Sequence, residues 1–257
     1  MSKWREVRLG EVVEIISGYA FKSGDFKEVG DIPVIKIGNI NFFDIDIYKN
    51  ISYVDKEFLS ILDGKFIVKE GDILISLTGS NINQPNSVVG RTGKYRRKSF
   101  SVLNQRAGKI IPKDNVCKEY IYQLFSLKSM TYQIAMVAYG GANQVNISPS
   151  IIKNFKVKIP DIETQEKIAD TLSTYDELIE NNNKRIEILE KTAEEIYKEW
   201  FVRMRFPGHE DVKFEKGIPE GWEVKRVGDL GEVVTGKTPS TQVPEYYGSE
   251  IMFIKTP

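Results

Sequence analysis

Residues Gly231-Glu-Val-Val-Thr-Gly-Lys-Thr238 fit the G-x-x-x-x-G-K-[ST] spacing of a loop whose backbone amides and lysine cradle nucleotide phosphates. Such a loop must open a helix, yet Pro239 and Pro244 follow within six residues, and only 19 residues remain after Thr238 for a magnesium-binding strand. The spacing therefore carries no nucleotide chemistry. One cysteine, Cys117, and one histidine, His209, far apart in sequence, exclude an intrachain disulfide and argue against a Cys/His metal cluster or thiol dyad. Pro160-Asp161 with Asp211-Val-Lys213 loosely imitates the carboxylates of a magnesium nuclease, but a proline at a helix entrance and an acidic linker account for them. A methyltransferase would need a glycine-rich cofactor loop and a [DNS]-P-P-[FYW] turn, and the chain has neither a G-x-G triplet nor adjacent prolines. The expectation is a chain with no catalytic residues and no bound metal or cofactor.

Binding chemistry is better represented. Arg91-Thr-Gly-Lys-Tyr-Arg-Arg-Lys98 holds five cations in eight residues: Arg91, Lys94, Arg96, Arg97 and Lys98, with Tyr95 among them. Cations of this kind neutralise phosphates, and arginine also grips guanine through two hydrogen bonds. Gly79-Ser-Asn-Ile-Asn-Gln-Pro-Asn86 offers the amides of Asn81, Asn83 and Gln84, which suit adenine. Tyr19 to Lys22 and Gly140-Gly141-Ala-Asn143-Gln144 are further candidates, through Tyr19, Lys22 and Asn143. Gln105 and Gln144 abut strand-like stretches and are expected to satisfy backbone groups inside the domain.

The elements that would position these groups are legible from patterning. A composition of 41% hydrophobic and 11% aromatic residues supports real cores, and no apolar run reaches membrane-spanning length. The N-terminus lacks the apolar core of a signal peptide, so the expected compartment is the cytoplasm. Residues 1–159 read as short strands (IPVIKIGNI, FIVKEGDILISLTGS, FKVKIP) interrupted by one helix, about Lys118 to Ala138. Then Ile168, Leu172, Tyr175, Ile179, Asn182, Ile186, Leu189, Ala193, Ile196 and Trp200 recur at 4-3-4-3 spacing, roughly 50 Å of helix: a coiled-coil seam that needs an opposing helix, the alternative being an amphipathic helix packed along its own domain. Within it Asn182 either sets register and partner or, with its asparagine neighbours, forms a hinge. The net charge of zero hides a segregation: residues 1–160 hold 23 Lys/Arg against 15 Asp/Glu, whereas residues 161–199 hold 5 against 12. A basic body on an acidic rod suggests two surfaces with different partners, the basic one suited to a polyanion.

An internal repeat completes the organisation. Trp4 placed over Trp222 aligns WREVRLGEVVEIISG with WEVKRVGDLGEVVTG without a gap, and DIPVIKI continues over EIMFIKT after one inserted residue. GEVVTGKT is thus a second copy of VEIISGYA, with Lys237 at the place of Tyr19. The expected fold is α+β: a mainly β domain over residues 1–160, a long helical spacer over 161–206, and over 207–257 a linker and the first strands of a second, incomplete domain.

That order, with the stretches WREVRLGEVVEIISGYAFKSGDF, PVIKIGNI, GDILISLTG, LNQRAGKI and QVNISPSIIKNFKVKIPDIETQEKIADTLSTYDELIENNNKRIEILEKTAEEIYKEWFVRMRFPG, resembles the specificity subunit of type I restriction-modification enzymes. The resemblance implies a non-catalytic subunit in which each target-recognition domain reads one half of a split double-stranded DNA site. Its long helices would space the domains and dock methyltransferase subunits, and through them the restriction subunit. S-adenosylmethionine, ATP and Mg would be held by those partners. The sequence stops early in what the resemblance makes a second target-recognition domain, so the expectation is that either a second copy of the chain supplies the partner of the seam or the polypeptide is a truncated product. The alternative is a coiled-coil assembly protein whose β domain binds something other than DNA.

Overall fold

The computed structural model describes residues 4–84, 88–141, 144–240 and 242–248, and the chain divides into two compact units, residues 1–183 and 184–257. The first unit is α+β. Its order is β1 (Arg5–Arg8), α1 (Leu9–Val12), β2 (Val13–Ser17), β3 (Ile32–Ile35), β4 (Phe43–Asp44), β5 (Ser52–Val54), β6 (Ile67–Val68), β7 (Ile73–Ser76), β8 (Thr78–Gly79), β9 (Thr92–Lys94), β10 (Ser101–Leu103), β11 (Ala107–Pro112), α2 (Lys118–Ser126), α3 (Lys128–Val137), β12 (Tyr139–Gly140), β13 (Val145–Asn146), α4 (Pro149–Lys153) and β14 (Lys156–Ile159). A long helix, α5 (Ile162–Tyr197), then starts two residues after Pro160 and runs on into the second unit.

The central sheet has the order β2-β11-β7-β9-β4, flanked by a four-stranded sheet β5-β3-β10-β6 and a three-stranded sheet β12-β13-β8. β-branched runs dictate this: Ile73, Leu74 and Ile75 are all fully buried, as a strand covered on both faces must be. On one face α2 and α3 complete a core with Val13, Ile15, Ile110, Ile121, Phe125 and Ile134. The other face meets the flanking sheet through Ile35, Ile45, Leu74 and Leu103. Each such side chain contributes roughly 1.5–3 kcal/mol by leaving water.

The expected single helix over Lys118 to Ala138 is two. Leu127 adopts an extended backbone (φ −63°, ψ 130°) and its carbonyl accepts from Met130 and Thr131, so α3 begins afresh instead of continuing α2. Both helices thereby keep a buried face.

The chain start is clasped by the segment that leads into α5. β1 pairs antiparallel with β14, from Arg5 opposite Ile159 to Arg8 opposite Lys156, and the Leu9 amide donates to the Phe155 carbonyl at 2.8 Å. Lys153 Nζ closes the clasp on Glu14 at 2.8 Å. This hydrogen bond, together with the Lys153 charge and despite some desolvation, holds the Glu14 carboxyl below its usual range. A carboxyl depressed on folding stabilises above its unfolded pKa and loses that contribution as pH falls through the folded value. Lys153→Met is therefore expected to lower Tm by a constant amount above about pH 5, the gap closing below about pH 4. The pair is about half exposed, so less than about 1 kcal/mol is involved. A Tm difference that does not vary from pH 3 to 7 would remove the clasp from the ledger.

α5 is continuous through Asn181-Asn182-Asn183, so the asparagines form no hinge. The first-unit stretch of α5 turns Gln165, Ala169, Ser173, Asp176 and Glu180 toward its own domain, with Gln165 and Ala169 at 1% exposure. These positions recur every 3.7 residues or so, the period of a straight helix packed on a body. The predicted seam lies on the adjoining face, and only Ile168 of it is partly covered, packing against the domain core. Leu172, Tyr175, Ile179, Ile186, Leu189, Ile196 and Trp200 are each 39–65% exposed, and Asn182 and Ala193 are exposed too.

In the second unit the helix ends in a π-helical turn, Lys198–Val202. Left-handed residues at Met204 (φ 54°) and Gly208 (φ 84°) reverse the chain. A short hairpin follows, β15 (Phe214–Glu215) with β16 (Ile218–Pro219), turning at Lys216 and Gly217, both at positive φ as a two-residue hairpin loop requires. Trp222 stacks on Phe206 with centroids 6.0 Å apart. Next comes α6 (Val227–Leu230), which copies α1: in α1 the Arg8 amide donates to Glu11 Oε1 at 3.0 Å, and in α6 the Arg226 amide donates to Asp229 Oδ2 at 2.9 Å. The repeat is thus reproduced in backbone geometry. The strands expected on either side of α6 do not form among the described residues. In the first copy β1 and β2 are held by β14 and β11, and among the described residues nothing equivalent pairs with residues 223–236; the expected copy of DIPVIKI at 250–256 lies outside the described residues. Consequently Val227, Leu230 and Val233 are at least 76% exposed, where their counterparts Leu9, Val12 and Ile15 are buried. Residues 231–240 form neither helix nor strand.

Candidate nucleic-acid interface

The central sheet has two ends, and they sort the candidate residues. Ser17 lies across from Gly108, Ala107 from Ser76, and Ile75 from Thr92, so the end of β2, the start of β11, the end of β7 and the start of β9 share one edge. At the far edge lie Val13, Pro112, Ile73, Lys94 and Asp44. Tyr19, Lys22, Asn81, Asn83 and Gln84 are all on turns that leave the first edge. Lys94 to Lys98 leave the second.

The first edge is built by close backbone approach. A Cβ on Gly18 would lie 2.3 Å from the Leu103 carbonyl oxygen, so only glycine lets the turn after β2 lie against the turn before β11. The Tyr19 amide then donates to Leu103 and its carbonyl accepts from Gln105, at 2.8 and 2.9 Å. Edge-on contacts with Phe21 (4.9 Å) and Phe66 (5.7 Å) fix the half-buried Tyr19 ring, and Lys22 is exposed. Beside them the Asn104-Gln105-Arg106 turn projects Gln105 and Arg106 into solvent. β8 carries the chain onward into the amide loop, where Asn81 Oδ1 accepts from the Asn83 amide at 2.9 Å and Ser80 Oγ donates to the Gln84 carbonyl at 2.8 Å. The backbone is thereby satisfied internally, and the side chains of Asn83 and Gln84 are exposed. β13 pairs with β8, Val145 opposite Gly79, and brings exposed Gln144 to the same neighbourhood. Asn143 lies outside the described residues.

Two readings change here. Gln105 and Gln144, expected in the interior, are exposed, because each occupies a turn just before a strand and not the strand itself. Arg106 was missed altogether. Its signal was available in the sequence: a polar N-Q-R triplet between two β-branched runs marks a tight turn that must point outward.

The basic stretch runs along β9 from the first edge, at Arg91, to the second, at Lys94 to Lys98, and is mostly engaged with the protein. Arg91 is 6% exposed and donates from Nη2 to the Ile37 carbonyl at 3.2 Å. Tyr95 is fully buried, its hydroxyl 2.8 Å from both the Ser99 carbonyl and Ser101 Oγ. Neither side chain can reach a ligand in this conformation. Lys94 is paired with Glu119 at 2.6 Å. Arg96 donates to the Phe43 carbonyl and to Tyr122 Oη (3.3 Å), and its Nε lies 3.5 Å from Glu180 on α5. Burial opposes its charge, but Tyr122, Asp44 and Glu180 outweigh that and hold its pKa above the ordinary guanidinium value. Phe43 is held in a left-handed backbone (φ 70°) whose carbonyl also accepts from Tyr122 at 3.2 Å. Arg97 stacks over Tyr48 at 4.8 Å and Lys98 is exposed.

One edge of the mixed sheet thus carries amide-bearing and cationic turns, and the long helix is moored at the other. The model of the type I restriction modification DNA specificity domain matches residues 1–191, and the chain belongs to that family. It is 33% identical over 258 residues to the MjaIX specificity subunit of a type I restriction enzyme from Methanocaldococcus jannaschii, covering 98% of this chain and 57% of that protein. Against the HindI specificity subunit of Haemophilus influenzae the identity is 24%, over 100% of this chain and 66% of the relative. The chain thus spans between about half and two thirds of the length of these relatives. Among solved structures, the S subunit of a type I restriction-modification system from M. genitalium superposes with a TM-score of 0.56 at 20% identity, covering 78% of this chain and 46% of that one, and shares the α+β fold. Among the described residues no helix is long and apolar enough to cross a membrane.

Proposed function

We propose that this chain is a non-catalytic DNA-recognition subunit of a type I restriction-modification complex, reading one half of an interrupted DNA site. The observation that carries the reading is the convergence of Tyr19, Lys22, Asn81, Asn83, Gln84, Gln105, Arg106 and Gln144 on turns at the sheet edge away from the helix. Exposed amides and one arginine suit base edges in a major groove, while Lys22 suits the flanking phosphates. Arg97 and Lys98 are left to touch phosphates from the opposite edge, and Arg91 and Tyr95 serve the core. In this reading residues 1–160 recognise DNA, 161–206 space and dock methyltransferase subunits, and 207–257 link to the start of a second recognition domain. S-adenosylmethionine, ATP and Mg belong to the partner subunits, in the cytoplasm. Co-expression with the neighbouring methyltransferase, followed by mapping of methylated adenines across a genome, tests it. One recurrent interrupted motif is expected; methylation without any sequence preference, or none at all, would overturn the assignment.

The exposed seam supports a second element of the proposal. An apolar row along the whole of α5 is stable in water only when covered, and a second copy of the chain offers a matching row. Two copies pairing through α5 would hold two identical domains about one DNA turn apart, roughly 35 Å, and would read a symmetric interrupted sequence. Light scattering at micromolar concentration is expected to give a dimer, and Ile186→Lys with Leu189→Lys a monomer. A wild-type chain that is monomeric under these conditions would leave the seam to the methyltransferase.

A further inference from the structure

The first part of α5 is joined to the domain in two different ways. Near its start the contact is dry: Gln165, 1% exposed, accepts from the Cys117 amide at 3.0 Å and donates to the Pro160 carbonyl at 2.9 Å, and Ala169 is in the core. Beyond Ala169 no residue of α5 joins the hydrophobic core, and Ser173, Asp176 and Glu180 are only partly buried. A polar cleft of about 310 Å³ opens between helix and domain, with Glu70, Lys94 and Glu119 on one wall and Ser173 and Glu177 on the other. Polar ties span it: Gln123 Nε2 donates to Asp176 Oδ2 at 2.7 Å, and Arg96 Nε lies 3.5 Å from Glu180.

A dry joint followed by a wet gap with ties at its far side is a hinge with a strut. Glu180 is fifteen residues beyond Gln165, roughly 22 Å along the axis, so a small tilt at the joint becomes a shift of several ångströms at the strut. Arg96 is well suited to be the fixed end. Its guanidinium is anchored on the domain side by the Phe43 carbonyl and Tyr122, which leaves Nε for the helix. The opposite charges of body and rod, which suggest separate partners when read from sequence, are here partly spent on each other.

We propose that Arg96 and Glu180 form a strut that sets the angle between the recognition domain and α5, and thereby the number of base pairs separating the two halves of the recognised site. Arg96 is a positioning residue in this role, and the second clause rests on the function proposed above. Glu180→Arg breaks the strut by placing two cations face to face without touching the domain core, whereas Glu180→Gln keeps an acceptor for Arg96.

Two measurements separate the strut from the DNA reading. In the full chain with Cys117→Ser, spin labels at Val29 and Thr174 report the angle as a distance distribution. Wild type and Glu180→Gln are expected to give one narrow peak and Glu180→Arg a broad one. An equally narrow peak for Glu180→Arg overturns the strut whatever the chain does to DNA. In the assembled complex, adenine mapping is expected to show the same half-site in all three proteins, with Glu180→Arg also modifying sites whose spacer is one base pair longer or shorter. A broad distance distribution with a single unchanged spacer, or with loss of all modification in Glu180→Arg, refutes the control of spacing while leaving the hinge. A wild-type complex that modifies no interrupted motif refutes the function and not the strut.

Discussion

Tyr95→Ala is expected to cost about 3–5 kcal/mol, the largest loss of stability from any single residue of the basic stretch. The side chain is fully buried beside Ile35, Ile45, Leu74 and Leu103. Its hydroxyl is also the buried partner of the Ser99 carbonyl and Ser101, and leaving those groups unpaired adds to the cavity. For a unit of this size the loss corresponds to roughly 6–20 °C in Tm. Tyr95→Phe keeps the ring and should cost only about 1 kcal/mol. A Tyr95→Ala protein that melts with wild type but no longer binds DNA would return this residue to the interface.

Arg106→Ala should leave Tm within about 2 °C of wild type, because the side chain is exposed. Its effect is instead on recognition: about tenfold to hundredfold weaker binding to the proper site, with relaxed preference at one base position. Arg106→Lys should restore little, since a lysine cannot make the two-pronged contact to guanine. Lys98→Ala is the control, expected to weaken binding a few-fold for every sequence and to reduce the salt slope by about 1. Full affinity and an unaltered methylated motif in Arg106→Ala would exclude the turn before β11 from base reading.

The contrast between these residues shows what could be read from the chain. The long helix and the tryptophan-led repeat were legible because both are local regularities, a 3.5-residue period and an ungapped alignment, and the Arg8–Glu11 and Arg226–Asp229 turns share one cap geometry. The basic stretch misled because a strand alternates its faces at every residue. Arg91 and Tyr95 flank β9 on the inward parity, with Gly93 between them pressed so close that a Cβ would lie 2.5 Å from the Asp44 carbonyl oxygen. Lys94 and Arg96 have the other parity and find carboxylates. A count of cations contains none of that. Arg106 is hard to single out for the converse reason: a single arginine in a three-residue turn makes no patch until the pairing of β2, β7 and β11 sets three turns side by side.

In the function proposed, the turns that read DNA and the moorings of the helix occupy opposite edges of the central sheet, so selection can act on them separately. Insertions, deletions and exchanges in the turns after β2, β8 and before β11 leave Gln165, Gln123 and Arg96 in place, so a new sequence preference can be acquired by swapping loops without renegotiating assembly. Conversely, drift in the helix contacts can alter geometry while the vocabulary of the loops is inherited intact. A graft of these turns from a relative with a different target is the laboratory version of that history.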